Sequence, residues 1–250
     1  MRNINRNKIK DMFREYSKNY NAEDPKVKLK IDHTYRVASL AEKIASAVEG
    51  VDPDMAWTIG MLHDIGRFEQ IRRYNTFSDA DSVDHAQLGA DILFKENLLS
   101  SFGEFTEEEK EIIEVSIRNH SNYRIQLGLS ERIQAYCHVL RDADKIDIYR
   151  VNYETPLEDI YNVTTAELKQ AAVSEEVKRC FREEHAVLRS LKKTAIDNLV
   201  AHICMVYELV YPISKKIAKE QGYLDKLLRF QSENADTQDW FAYMRERLQL

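Results

Sequence analysis

The composition of the chain excludes several fold classes. Its 250 residues suffice for one domain with helical additions, and 44% hydrophobic and 31% charged residues are typical of a globular protein. Only 7 glycines and 4 prolines occur, too few for the many turns of a β-sandwich or barrel. A net charge of −6 without a long basic run argues against a nucleic-acid polymer as partner. We therefore expect an all-α protein.

Targeting and redox features of the sequence are plain. No stretch of about 18 apolar residues occurs, which argues against a membrane partner, and the polar N-terminal segment does not resemble a secretory signal. The three cysteines are widely spaced and form no CxxC pair, as is typical of reduced thiols. These features predict a cytoplasmic protein, and they leave its oligomeric state open.

Helix start and stop signals follow one another along the chain. The first half predicts helices over 24–50, 52–66, 83–96, 106–120 and 130–150, with a loop over 67–82. The second half predicts helices over 157–162, 166–172, 175–188, 190–210, 213–220 and 237–248. We expect a single domain over 1–250, with a core at 24–150 and a helical extension, 151–250, packed on that core.

Six polar residues of the core form a candidate metal site. They are His33, His63, Asp64, His85, His120 and Asp144. Five of them lie on the apolar stripe of a predicted helix, and Asp64 stands at a helix end beside His63. Burying one neutral polar group without a partner costs roughly 2–7 kcal/mol, so the set favours a shared cation. Imidazole and carboxylate ligands suit borderline divalent metals. A single inward histidine such as His202 is more often a hydrogen-bonded core residue.

The same residues resemble the H…HD…D signature of the HD-domain superfamily of metal-dependent phosphohydrolases. The resemblance covers about 24–150 and includes the flanking segments HTYRVASLAEKIA, GMLHDIGRFEQ and RDADKIDIYR. It implies a compact helical bundle in which His33, His63, Asp64 and Asp144 hold one metal. Family members with two further histidines hold a second ion. His85 and His120 stand at those places, which implies that Asp64 bridges the two.

The resemblance also implies an activity. It implies hydrolysis of a small phosphorylated substrate, such as a nucleotide, by a water that one or two divalent ions activate. The implied ions are Mn, Fe, Co, Ni or Zn, with Mg also compatible. The candidate catalytic residues are Asp64, Arg67 and Lys145. Arg67, three residues past Asp64, and Lys145, directly after Asp144, are also candidate phosphate-binding residues. Tyr74 is a further candidate for contact with the substrate.

Two other functions could use the same ligands. Some HD-fold proteins, similar to the inositol oxygenase and organophosphonate oxygenase groups, hold two irons with this set of six residues. The ligands alone do not separate these classes, because imidazole and carboxylate suit Fe, Mn, Zn and Co alike. A non-catalytic ligand-binding module is the third alternative, against which the complete ligand set argues. The sequence leaves the substrate and the identity and number of the ions open.

Overall fold

Helices form all the regular secondary structure of residues 4–248, the part of the chain that the computed structural model describes. The prediction of an all-α fold is therefore confirmed. The described residues divide into two compact units, which meet in the sequence between Asp144 and Lys145. Every helix of the described range is too short or too polar to cross a lipid bilayer.

The first unit contains seven helices and the start of an eighth. They are α1 (Arg6–Ser17), α2 (Pro25–Ala45), α3 (Pro53–Leu62), α4 (Ile65–Tyr74), α5 (His85–Phe94), α6 (Leu99–Phe102), α7 (Glu107–Asn119) and the long α8 (Glu131–Glu154).

The second unit takes the rest of α8 and all later helices. They are α9 (Leu157–Tyr161), α10 (Thr165–Gln170), α11 (Glu175–Arg182), α12 (Ala195–Cys204), α13 (Pro212–Gln221), α14 (Tyr223–Leu228) and α15 (Ala235–Leu248), with short 3-10 turns at Arg189–Leu191 and Met205–Glu208.

Side-chain caps begin the helices at the predicted places. Asp24 accepts a hydrogen bond from the Lys26 amide, and Asp52 accepts from the amides of the first turn of α3. A proline follows each of these aspartates at the first helical position, where its missing N–H costs nothing. Thr106 and Glu109 form the predicted capping box of α7. The predicted starts of these three helices are confirmed.

The predicted end of α2 and the predicted loop over 67–82 are wrong. Helix α2 ends at Ala45, five residues before Gly50, and a helix, α4, replaces most of the loop. The buried side chains of Phe68 and Ile71 lie three residues apart and form the inner face of that helix. The irregular segment between α4 and α5 is therefore confined to residues 75–84.

Gly66 lies in α4 at the point where α4 and α5 approach each other closely, and this approach leaves no room for a side chain. A Cβ atom on Gly66 would lie 2.2 Å from the carbonyl oxygen of His85 and 2.5 Å from the amide nitrogen of Gly89. Gly60 has the same role between α3 and α2, since its Cβ would lie 2.6 Å from the Cα of Ala38. These glycines bring the backbones of α2, α3, α4 and α5 together.

An aromatic cluster attaches α1 to the start of α4. The rings of Phe13 and Tyr16 contact Phe68 edge-on, and Tyr20 contacts it at a tilt. The hydroxyl of Tyr16 donates a hydrogen bond to the carbonyl oxygen of Ile65, 3.1 Å away. This contact fixes the chain directly after Asp64.

In the second unit, the predicted single helix over 190–210 is wrong. The structure has a shorter helix there, α12, with a short 3-10 turn before it and another after it. Asp197 is buried and its carboxylate accepts hydrogen bonds from the amides of Ser174, Lys193 and Thr194. This capping places the start of α12 at Ala195 rather than at 190. His202 lies on α12 and contacts the Tyr161 hydroxyl, which agrees with its interpretation as a hydrogen-bonded histidine.

Candidate metal centre

The structure brings six predicted metal ligands together in the first unit. His33 lies within α2, His63 directly follows α3, His85 begins α5, His120 directly follows α7, and Asp144 lies in α8. Asp64 occupies the short break between α3 and α4. The side chains of the four histidines and Asp64 are almost fully buried, and that of Asp144 is 16% exposed.

The two carboxylate oxygens of Asp64 face different pairs of histidines. Its Oδ2 lies 3.5 Å from Nε2 of both His33 and His63. Its Oδ1 lies 3.5 Å from Nε2 of His85 and 3.7 Å from Nε2 of His120. One carboxylate thus stands between two sets of imidazole nitrogens.

Asp144 completes one of these two sets. Its Oδ1 lies 3.1 Å from Nε2 of His33 and 3.9 Å from Nε2 of His63. Within the set of His33, His63 and Asp64, and within the set of Asp64, His85 and His120, the donor atoms lie within 4.8 Å of one another. The arrangement offers two adjacent cation positions that share Asp64.

Hydrogen bonds fix the tautomers of three of the rings. His63 Nδ1 lies 2.7 Å from the carbonyl oxygen of Gly60, and His120 Nδ1 lies 2.7 Å from that of Ile117. Because a carbonyl only accepts hydrogen bonds, each Nδ1 carries the hydrogen. His85 Nδ1 faces the Asp79 carboxylate in the same way. All three Nε2 atoms therefore present a lone pair to the centre.

These lone pairs fit a divalent metal. Burial and the Arg67 cation lower the pKa of His85 to about 3, so its ring is neutral at ordinary pH. Nε2 of His85 and Nε2 of His120 lie only 2.9 Å apart, and two facing lone pairs at that distance repel each other. His63 Nε2 has no hydrogen-bond partner within residues 4–248. A cation in each of the two sets would accept these lone pairs, as first-row divalent metals do.

Both candidate carboxylate ligands are ionised. Burial disfavours charge on Asp64, but the Lys30 ammonium, 2.7 Å from Oδ2, and His63 outweigh it and hold the pKa of Asp64 well below its usual range. Burial likewise opposes ionisation of Asp144, and the His33 ring outweighs it, which lowers the pKa of Asp144. A metal would therefore meet two charged carboxylates.

Lys30 is a residue of the centre that the sequence prediction missed. It lies three residues before His33 on α2, and its side chain is 14% exposed. Its ammonium group also lies 5.5 Å from the centre of the Phe77 ring. The spacing to His33, which places both residues on one helix face, is a signal that could have identified it.

Arg67 lies beside the cluster. Its Nε lies 3.8 Å from Asp64 Oδ1, while its Nη1 donates to the Phe77 carbonyl oxygen and to Asp79, each at 2.8 Å. Asp79 is a second residue that the prediction missed, because no sequence signal separates it from Asp81 in the same loop.

The other two predicted substrate contacts are Tyr74 and Lys145. Tyr74 is the last residue of α4 and is 45% exposed, and the helix rise places it about 13 Å along the axis from Ile65. Lys145 is buried, follows Asp144 in α8 and belongs to the second unit. Their contacts with substrate stay predictions.

A third group of potential ligands shares His85 but is occupied by other interactions. It contains Asp79, Asp84 and His85. The Asp84 side chain caps α5 by accepting from the amides of Ala86 and Gln87. Asp79 accepts from three side-chain donors, so neither aspartate is available as a simple ligand.

Arg141 supports His120 from α8. This arginine is buried, and its Nη1 donates to the carbonyl oxygens of Asn119, His120 and Asn122 at 2.9, 3.2 and 2.5 Å. These bonds satisfy the last carbonyls of the α7 end, which no helical amide reaches.

Replacing Arg141 by methionine is expected to lower the free energy of unfolding by about 3 kcal/mol, since charge-assisted bonds are lost from buried carbonyls. Urea denaturation measures this loss. Arg132→Met is the control, because the exposed ion pair of Arg132 with Glu108 should contribute less than about 1 kcal/mol. Equal effects of the two substitutions would contradict the role of Arg141.

Comparison with known proteins agrees with the geometry. Residues 31–149 match the family model of the HD domain, and this range includes all six residues of the cluster. No curated protein matches the chain. The HD domain family consists largely of metal-dependent hydrolases. Residues 31–149, just under half of the chain, therefore match the HD domain, and their buried cluster of histidines and aspartates is consistent with its signature.

Proposed function

We propose that this protein is a metal-dependent phosphohydrolase that cleaves a small phosphate ester. The proposal assigns one ion to His33, His63, Asp64 and Asp144, and a second ion to Asp64, His85 and His120. The observation that carries it is the position of Asp64, whose two oxygens face separate histidine pairs at 3.5–3.7 Å.

Divalent ions bound there would lower the pKa of a coordinated water and offset charge on phosphoryl oxygens. The protein's own residues prepare the centre for this chemistry. The tautomers of His63, His85 and His120 direct Nε2 lone pairs inward, and burial of the ligands limits competition from bulk water.

Charge balance supports an anionic substrate. The carboxylates of Asp64, Asp79 and Asp144 and the cations of Lys30 and Arg67 leave one net negative charge. Two divalent ions would change this to three net positive charges, which attracts a phosphate group. Lys30 and Arg67, both next to Asp64, are the residues we assign to phosphate oxygens.

Metal analysis and a substrate panel test the function. We expect one or two ions per chain, and metal-dependent release of inorganic phosphate from a nucleotide or another small phosphate ester. The panel is run with Mn, Fe, Co, Ni, Zn and Mg added separately. Iron at full occupancy with substrate-dependent oxygen uptake would instead indicate an oxygenase. Bound metal without turnover of any ester would indicate a ligand-binding module.

The second ion has its own test. His85→Ala is expected to reduce the metal content from two ions to one, because Asp64 and His120 alone offer too few ligands. Atomic emission spectroscopy of the purified protein measures the stoichiometry. His185→Ala is the control, since His185 lies in the second unit and contacts Ala186 and Glu183. An unchanged metal content in the His85 variant would remove the second site from the proposal.

A further inference from the structure

We propose that Asp79 is a positioning residue of the metal centre, which holds His85 and Arg67 in place and thereby sets the affinity of the ion bound by His85 and His120. The proposal rests on the proposed function, since it concerns the second ion of that site. It assigns a role to residues 75–84, the irregular segment between α4 and α5.

The Asp79 carboxylate is buried although its segment is irregular. Its side chain is 7% exposed, and Oδ2 and Oδ1 lie 2.8 and 2.9 Å from Nδ1 of His85. A carboxylate accepts and the ring N–H donates, so this contact places the hydrogen on Nδ1. The lone pair of Nε2 is thereby directed towards Asp64 and His120.

The same carboxylate joins α4 to this histidine of α5. Its Oδ1 accepts hydrogen bonds from Arg67 Nη1 at 2.8 Å and from Gln70 Nε2 at 3.0 Å. Gln70 is fully buried and also donates to Ser82 Oγ and to the Val83 carbonyl oxygen. Because Arg67 also donates to the Phe77 carbonyl oxygen, the segment is fastened to α4 on both sides of Asp79.

His85 differs from the other two rings in the charge of its partner. The Nδ1 atoms of His63 and His120 donate to neutral backbone carbonyls, whereas that of His85 donates to a carboxylate. A carboxylate makes the ring a stronger metal ligand than a carbonyl does. Asp79 should therefore strengthen the second ion site and leave the first unaffected.

Asp79 also offsets a positive charge near the ions. Arg67 Nε lies 3.8 Å from Asp64 Oδ1, close to where two cations would bind. Without the charge of Asp79, the guanidinium would repel the second ion more strongly. Orientation of His85 and neutralisation of Arg67 act in the same direction.

Asp79→Asn tests the proposal with nearly unchanged side-chain volume. Calorimetric titration of the variant with Mn²⁺ alone is expected to show about 10–100-fold weaker binding of one ion and unchanged binding of the other. Nitrogen-15 NMR of the metal-free protein gives a second readout. His85 should be protonated at Nδ1 in the wild type, and this preference should weaken in the variant, because an amide oxygen is a weaker acceptor than a carboxylate and the amide can also present its NH₂ group to the ring. Asp81→Asn is the control, because Asp81 lies exposed in the same segment.

The possible results separate the two proposals. Wild-type affinities for both ions in the Asp79 variant would overturn the role of Asp79 and leave the metal centre intact. Equal weakening of both ions would also overturn it, since that result indicates a general structural effect. If the wild-type protein binds one ion, the role of Asp79 is overturned. If the wild-type protein binds no ion, the proposed function is overturned as well.

Discussion

Asp64→Ala is expected to remove both ions and to reduce metal-dependent phosphate release to background. The two oxygens of Asp64 face both pairs of histidines, so its loss takes a charged ligand from each proposed position. Asp144, the other proposed carboxylate ligand, lies 3.1 and 3.9 Å from Nε2 of His33 and His63 and therefore does not replace Asp64 between the two pairs of histidines. Metal content and phosphate release measured on one preparation check both parts of the prediction.

Misfolding of the Asp64→Ala protein would also abolish metal binding and activity, so a second variant must distinguish misfolding from the loss of a ligand. Asp64→Asn keeps the shape of the side chain and removes its charge, and it should lose the metals in the same way. Asp81→Ala, a change of an exposed aspartate, should keep both metal and activity. Full metal occupancy in a folded Asp64→Ala protein would show that the ligands are wrongly assigned.

Gly66→Ala is expected to lower the free energy of unfolding by about 3 kcal/mol. The added methyl group would lie 2.2 Å from the His85 carbonyl oxygen and 2.5 Å from the Gly89 amide nitrogen. Both atoms belong to the backbone of α5, so relief of the clash requires the helix to move. Because His85 begins that helix, the substitution should also weaken the second ion site.

Urea denaturation and metal titration of the Gly66 variant measure the two effects. Gly103→Ala is the matched control. Its Cβ would meet only the Phe105 ring at 3.6 Å, an ordinary contact, and its φ of 168° is extended backbone that any residue adopts. We expect a change below about 1 kcal/mol there. Equal stability of the two variants would contradict the tight contact between α4 and α5.

The interpretation of Gly66 shows where sequence reasoning reached its limit. A glycine after His63-Asp64 indicates a helix end on local grounds, because glycine favours that position. In the fold, Gly66 instead lies in the first turn of α4, and its small size serves the approach of α5. Glycine suits both a helix end and a close contact between helices, because it has no side chain. The sequence alone does not distinguish these two roles.

Lys30 and Asp79 illustrate the same limit for the site. Lysine and aspartate are common on exposed faces and in loops, so neither stands out by type. Their burial depends on which elements pack around them, and both acquire partners more than five residues away in the chain. The inward histidines were easier to find, because a polar residue on an apolar helical stripe is a local signal.

By itself, the sequence determined the all-α class, the capped helix starts and the HD domain, because capping, periodicity and motif spacing are local properties of the chain. The tertiary structure alone decided that Asp64 turns one oxygen to each histidine pair, and that Lys30, Arg67 and Asp79 surround the cluster. Those arrangements depend on close approach of helices distant in the chain. That approach is set by packing at Gly60 and Gly66, which no local pattern encodes.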